Sequence, residues 1–323
     1  MSLERAFSQW YDGALDHLAK FDWLGCEFRA VQELTSSGQL DWDSIENELE
    51  GSLRVALYTA CYGQQHYFSL KRVLEKLAPR IEVQDDEEVL ILDIGCGPGT
   101  GTVALLDSLL ADTADSSTPR SRGFDKSRYM VRFCRTALKN IESVDSRSFQ
   151  FEVGEESESD PTDFILERCE PVEGVRVLVI LSFLISQKDV QSDGNGDVEA
   201  LALSESFETL LSESVRGLFS RGAARVDLVC QNINYYEDGA NDEMLRIQRG
   251  LKQELGEMGF HSTIREDKTY YRHLHWDTVR KLASHVTAAE HIQRLKEQPL
   301  VPYRSPVKWS CLSVSDEEDS PPF

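Results

Sequence analysis

The chain lacks any long apolar run. The longest, Val177 to Ile185, is broken by Ser182 and preceded by Arg176, well short of the roughly 20 residues that a membrane helix needs. It reads as a buried strand, and no membrane partner is expected. Basic residues are also scarce, with 34 Lys and Arg against 56 Asp and Glu, a formal net charge of −22. Such a field repels phosphate backbones unless a local basic patch overrides it, so nucleic acid is a disfavoured partner. Paired cysteines are missing as well. Cys26, Cys61, Cys96, Cys134, Cys169, Cys230 and Cys311 are scattered, with no CxxC and no Cys/His spacing suited to zinc. Reduced, mostly buried thiols and no metal follow. The first residues carry Glu4, Asp12 and Asp16 among their apolar positions, unlike a secretory signal or an acid-poor transit peptide, and a cytoplasmic protein is expected.

With 41% hydrophobic and 28% charged residues, the chain can build one large α/β domain plus a smaller attachment. From Leu3 to about Pro79, aromatics and leucines recur at three- and four-residue spacing and Gly and Pro are few, which predicts helices. Residues 1–80 are read as an N-terminal helical cap. Beyond them strand-like and helix-like segments alternate, the pattern of a parallel sheet flanked by helices. The predicted strands are Val89–Asp93, Arg122–Asp125, Phe149–Val153, Val175–Ser182, Arg225–Gln231, His261–Lys268 and Lys308–Val314. Helices fit at Gly101–Leu110, Ser127–Asn140, Pro161–Cys169, Leu201–Ser220 and Asn241–Met258. Linkers at Ala111–Ser121, Glu155–Asp160 and Gln191–Asp197 are expected to be mobile, 276–299 to be a helical insertion, and the acidic residues 315–323 to be a solvated tail.

The most informative string is V-L-I-L-D-I-G-C-G-P-G-T-G-T, Val89 to Thr102. An apolar strand ends at Asp93, a turn holds Gly95, Gly97 and Gly99, and a helix starts near Thr100. Glycines allow positive φ and close approach of a ligand to backbone, at the strand end where open α/β sheets bind their ligands. The third glycine of GxGxxG is out of register, because Gly95 and Gly97 are followed by Thr100. Pro98 also removes an amide from a loop that would have to cradle pyrophosphate. Dinucleotides are therefore disfavoured. No GxxxxGK[ST] string occurs, which excludes a Walker loop.

The Asp93, Gly95, Gly97, Gly99 string resembles motif I of class I S-adenosylmethionine-dependent methyltransferases. The resemblance implies S-adenosylmethionine as cofactor, with the loop against its methionine part and Asp93 ordering the loop and attracting the α-amino group. It also implies a Rossmann-like, seven-stranded, mostly parallel sheet across residues 81–314. R-G-F-D-K-S-R-Y-M, Arg122 to Met130, is similar to the second signature of that superfamily. By that likeness Asp125 would accept from both ribose hydroxyls and Met130 would pack near the adenine. Glu155 is the nearest match for the group that receives the adenine amino group. Ser182 and Phe183, at the end of the fourth strand, would line the acceptor pocket. The absence of [DN]PP[YF] and of a Pro-Cys nucleophile removes support from two nucleic-acid chemistries.

Tyr58, Tyr62 and Tyr67 either close the cofactor pocket or pack the cap on the core. Asn234, Tyr235 and Tyr236, after the fifth strand, either meet the acceptor or form a polar loop. His273 and His275 form an HxH without carboxylate or cysteine partners, and Arg128, Arg132, Arg135 and Lys139 share one helix face that solvent can cover. The expected reaction is in-line methyl transfer to a small-molecule or protein acceptor. Two alternatives stay open. One is an RNA-directed enzyme, since residues 58–77 faintly resemble the mitochondrial small-ribosomal-subunit methyltransferase-like family, whose cysteine cluster has no counterpart here. The other is a non-catalytic binding or assembly protein on the same fold.

Overall fold

The structure, a computed structural model, describes residues 5–18, 48–81, 88–109, 120–125, 127–139, 141, 149–153, 173–182, 209, 211–232, 239–273 and 303–315. Two helices come first, α1 (Arg5–Leu18) and α2 (Glu48–Ile81). At 34 residues, α2 is about 50 Å long at 1.5 Å per residue. There follow β1 (Val89–Ile94), α3 (Thr100–Leu109), β2 (Arg120–Asp125), α4 (Arg128–Lys139), β3 (Phe149–Val153) and β4 (Arg176–Ser182). A helix over 211–220, α5, leads to β5 (Arg225–Asn232), α6 (Gly239–Glu257), β6 (His261–His273) and β7 (Tyr303–Ser315).

The strands form one sheet in the order β3-β2-β1-β4-β5-β7-β6. β3, β2, β1, β4 and β5 run parallel, while β7 is antiparallel to both β5 and β6. The sheet is thus mixed: α3, α4 and α5 lie between β1 and β2, β2 and β3, and β4 and β5, each returning the chain to the same end of the sheet, whereas β6 and β7 pair directly as antiparallel neighbours. Strand order reverses between β1 and β4, so the end of β1 borders the crevice at that reversal, with the end of β2 on its other side.

Helices cover both faces because strand side chains alternate. Val89 and Ile91 of β1, with Leu178, Ile180, Val229 and Trp309, join one core with α1, α2, α3 and α4. Leu90, Leu92 and Ile94, with Val177, Val179 and Leu228, join a second core with α5 and α6. β1 is buried at all six positions, as a central parallel strand should be. The two described helices of the 1–80 segment therefore belong to the layer that covers the sheet, and share its core.

α4 shows why the period was readable. Tyr129, Met130, Val131, Cys134, Ala137 and Leu138 are buried, and Arg128, Arg132, Arg135 and Lys139 form the exposed face. β6 and β7 extend beyond their predicted bounds because they pair along their whole length, from His261 opposite Ser315 to His273 opposite Tyr303. Pro306 lies where β7 pairs with β6 alone, since the pairing with β5 stops at Lys308. A proline is tolerated there, and from sequence it truncates the strand. The predicted helix Pro161–Cys169, residues 201–208 of the helix predicted over Leu201–Ser220, the insertion 276–299 and the tail beyond Ser315 lie outside the described residues. Among the described residues no helix is long and apolar enough to cross a membrane.

Candidate functional site

The glycine turn leaves β1 with Gly95, Gly97 and Gly99 at φ of 69°, 53° and 91°, in the left-handed region that side chains rarely enter. The Cys96 amide donates to the Phe124 carbonyl at 2.9 Å, tying the turn to β2, and the Gly99 amide donates to the Cys96 carbonyl at 2.9 Å. Two of the glycines do different work. Among the described residues, a Cβ on Gly97 would meet nothing nearer than the Gly95 carbonyl oxygen at 4.0 Å, so this position is open on that side. At Gly99 a Cβ would lie 2.6 Å from Cys134 Sγ, so there the glycine lets α4 pack against the turn.

Asp93 is 2% exposed, and its Oδ2 accepts the Thr102 amide at 3.1 Å and the Thr102 hydroxyl at 3.3 Å. It therefore caps the first turn of α3 from the strand, supplying an acceptor to an otherwise unpaired helix N–H. Burial pushes its carboxyl up to about 7. The Thr102 bonds oppose that rise and the nearby Asp125 charge adds to it.

Asp125 ends β2 and is half-buried. Its Oδ2 accepts the Gly97 amide at 2.8 Å, and its Oδ1 accepts the Ser127 amide at 2.8 Å. One carboxylate thus holds the glycine turn and the entry to α4 together. Each carboxylate oxygen has two lone-pair directions, so one oxygen can accept more than one hydrogen bond. Met130 is buried one turn into α4, in a cluster with Val55 and Tyr129 against which Tyr58 packs.

The tyrosines of α2 divide. Tyr58 and Tyr62 lie 5.4 Å apart between ring centroids, and Tyr62 stacks on His66. The Tyr58 hydroxyl lies 3.4 Å from His66 Nδ1. Burial raises the Tyr58 phenol well above its ordinary value, and the charges of Tyr62 and Asp125 raise it further, which puts this ring on the Asp125 side of α2. Tyr67 is different, and the expectation that it lines the cofactor site needs correction. It is fully buried, its ring stacks on Phe7 at 4.2 Å, and its hydroxyl donates to Asp107 Oδ2 at 2.8 Å. The 3.6-residue period turns Tyr67 away from the face that Tyr58, Tyr62 and His66 share and into the packing of α1 on α2.

Ser182 ends β4 opposite Gln231 of β5. Phe183, Glu155, Asn234, Tyr235, Tyr236 and His275 lie outside the described residues, and of His273 only the backbone, at the end of β6, is described. Four groups were not anticipated. Trp10 of α1 donates its indole N–H to the Pro98 carbonyl at 2.9 Å, within the glycine turn. Asp107 of α3 accepts the Ala6 and Phe7 amides at 3.1 and 2.9 Å, capping α1. Cys96 and Cys134 share a hydrogen bond that raises the Cys96 thiol well above its ordinary value. No local spacing marks these contacts, because each joins residues that are far apart in the chain.

The residues fit a cationic nucleoside better than a phosphate. Two carboxylates flank the turn, Pro98 offers no amide, and the Gly97 amide is already bonded to Asp125. The open space at Gly97 is one that any side chain there would fill.

No protein-family model and no curated protein matches the chain. Among solved structures it aligns with a putative methyltransferase in complex with the Haloferax volcanii Trm112 methyltransferase activator, at 16% identity and a TM-score of 0.42, over 85% of this chain and 100% of that one. It also aligns with the plantazolicin methyltransferase BpumL in complex with SAH, at 11% identity and 0.41, over 91% and 100%. A third is the magnesium protoporphyrin IX methyltransferase from Synechocystis PCC 6803 with bound SAM, at 13% and 0.36, over 90% and 92%. All three are methyltransferases by name. With each TM-score under 0.5, the functional reading rests on the chain's own turn and carboxylates.

Proposed function

We propose that this chain is a class I S-adenosylmethionine-dependent methyltransferase acting on a small-molecule or protein acceptor. The observation that carries the reading is the turn itself: three left-handed glycines at the end of β1, beside the reversal of strand order, one of them open among the described residues, with the carboxylates of Asp93 and Asp125 on either side. When bound, the cofactor supplies a methyl group already activated on a positive sulfur. The protein's share is to bind, orient and exclude water.

In this reading Asp125 takes the ribose hydroxyls, and Gly95, Gly97 and Gly99 present backbone to the methionine part. Asp93 holds the turn through α3 and places negative charge near the α-amino group. Tyr62 and Met130 wall the nucleoside, and Glu155 receives the adenine amino group. Ser182 at the end of β4, Phe183 after it, and Asn234 and Tyr235 after β5 face the acceptor. Alignment of acceptor and methyl at near-attack distance is the main catalytic device, and no dedicated base is required.

Calorimetry with S-adenosylmethionine and S-adenosylhomocysteine tests this, on the wild type and on Asp125→Ala. Micromolar binding by the wild type and a loss of at least tenfold in the variant are expected. Absence of binding to either nucleoside by the folded wild type would refute the proposal.

A further inference from the structure

The glycine turn is held from a side that its own motif does not include. Its Gly97 amide is bonded to Asp125, and one residue further on the Pro98 carbonyl accepts the Trp10 indole N–H at 2.9 Å. Trp10 lies in α1 and is fully buried. It is not placed there by chance packing alone. The start of α1 is fastened to α3, the helix that the glycine turn opens, by the Ala6 and Phe7 amides on Asp107. The Tyr67 hydroxyl binds the same carboxylate from α2. On its other side the indole is packed so tightly that a Cβ on Gly63 would lie 2.8 Å from Trp10 Cη2. The ring is therefore fixed at its benzo edge by α2 and at its N–H by the turn.

We infer that Trp10 is a positioning residue for the cofactor turn: its N–H fixes the Pro98 peptide and so keeps the Gly97 to Gly99 backbone in the binding-ready conformation. This rests on the cofactor reading above. The physical need is specific. Gly97 and Gly99 are the residues that resist conformational wandering least, and Pro98 between them has no N–H with which to anchor itself. Its carbonyl is the one backbone hydrogen-bonding group that the residue has, and α1 satisfies it. A bond made equally in free and bound protein changes affinity only through the fraction of molecules whose turn is ready, because the apparent dissociation constant scales inversely with that fraction. Losing one buried hydrogen bond lowers that fraction and so weakens binding, by at most about tenfold.

The test uses the full chain with S-adenosylhomocysteine as the probe. Trp10→Phe keeps an aromatic ring and deletes the N–H. Gly63→Ala keeps the N–H and displaces the indole, while favouring the helix in which it sits. Tyr11→Phe is the matched control, since it deletes another buried bond of α1, from the Tyr11 hydroxyl to the Ala60 carbonyl at 2.8 Å, away from the turn. Calorimetry should show weaker binding by at least twofold in Trp10→Phe and in Gly63→Ala, and unchanged binding in Tyr11→Phe. Hydrogen exchange of a peptide spanning 96–103 should quicken in the first two and not in the third. Should Trp10→Phe fail to fold, Gly63→Ala decides. Equal affinity and exchange across all four proteins, or equal losses in Tyr11→Phe, would overturn the inference. If the wild type binds no adenosyl compound the cofactor reading falls, and the exchange measurement alone then decides whether Trp10 orders the turn.

Discussion

Gly101 stands so close to Asp93 that a Cβ on it would lie 2.5 Å from the Asp93 Oδ2 and 2.8 Å from Oδ1. This glycine is in the first turn of α3, where alanine would favour the helix by about 1 kcal/mol. The carboxylate that caps that turn takes the space instead. Gly101→Ala should therefore drive Asp93 off Thr102 and cost a net of about 1–2 kcal/mol in urea denaturation, since overpacking a filled site outweighs helix propensity. Affinity for S-adenosylhomocysteine should fall with it. Gly256→Ala in α6, where nothing lies within 4 Å, should instead be neutral or stabilising by up to about 1 kcal/mol. Equal responses of the two variants would dismiss the packing role of Gly101.

The raised carboxyl of Asp93 sets a pH dependence of definite sign. Its folded value of about 7 is above the ordinary 3.8, so between those values the folded chain holds a proton that the unfolded chain has released. This group's contribution to stability must fall as pH rises through that window and level off above about pH 7. Asp93→Asn removes the titration, and the wild-type minus variant difference in denaturation should show that slope. Ligand binding should run the other way. An ammonium near Asp93 favours the ionised form, so S-adenosylhomocysteine should bind more tightly as pH rises from 6 to 8 and should release protons near neutrality. Calorimetry in two buffers of different ionisation enthalpy reads that release. Its persistence in Asp93→Asn would assign it to another group.

The sequence made legible whatever is local. β1, β3 and α4 fall within a residue or so of their predicted bounds, because a buried parallel strand and an amphipathic helix each write their period into consecutive residues. Asp93, Gly95, Gly97, Gly99 and Asp125 were legible for the same reason, as short strings at strand ends. Tyr67, open in the sequence between closing a pocket and packing the cap, takes the packing role; a run of tyrosines on one helix gives no sign of which face packs on α1. Trp10, Asp107 and the Cys96 to Cys134 contact were invisible because each is made across many intervening residues. The antiparallel end of the sheet escaped notice because β6 and β7 look like further strands of the same series, and only their pairing reveals direction.

Gly99 combines two constraints that a double variant can separate. Its φ of 91° disfavours any side chain by about 1–2 kcal/mol, and a Cβ would also lie 2.6 Å from Cys134 Sγ. Gly99→Ala should thus be strongly destabilising. In Cys134→Ala the sulfur is gone, so adding Gly99→Ala to that background should cost less, with a coupling of about 1–2 kcal/mol in the double-mutant cycle. A residual cost should remain, because the backbone strain is independent of Cys134. Strict additivity would show that the clash is relieved by movement elsewhere.

A buried charge network at the opposite end of the strands should separate stability from ligand binding. Asp227 is fully buried, and its Oδ2 accepts Arg176 Nε at 2.8 Å, while its Oδ1 accepts the Ser313 hydroxyl at 2.6 Å and Arg225 Nη2 at 3.0 Å. Arg176 and Arg225 begin β4 and β5, whereas the glycine turn follows the end of β1, which runs parallel to β4. Asp227→Asn leaves the buried guanidinium of Arg176 without its countercharge, and breaking such a pair costs about 3–5 kcal/mol. A large drop in Tm is expected, yet below that temperature S-adenosylhomocysteine should bind within twofold of the wild type, because the strands between are rigid and the carboxylates of the turn are untouched. A comparable loss of affinity in the folded variant would mean that the network at the strand starts is coupled to the turn at their ends, and that the two ends of the strands do not have the independent roles assigned to them.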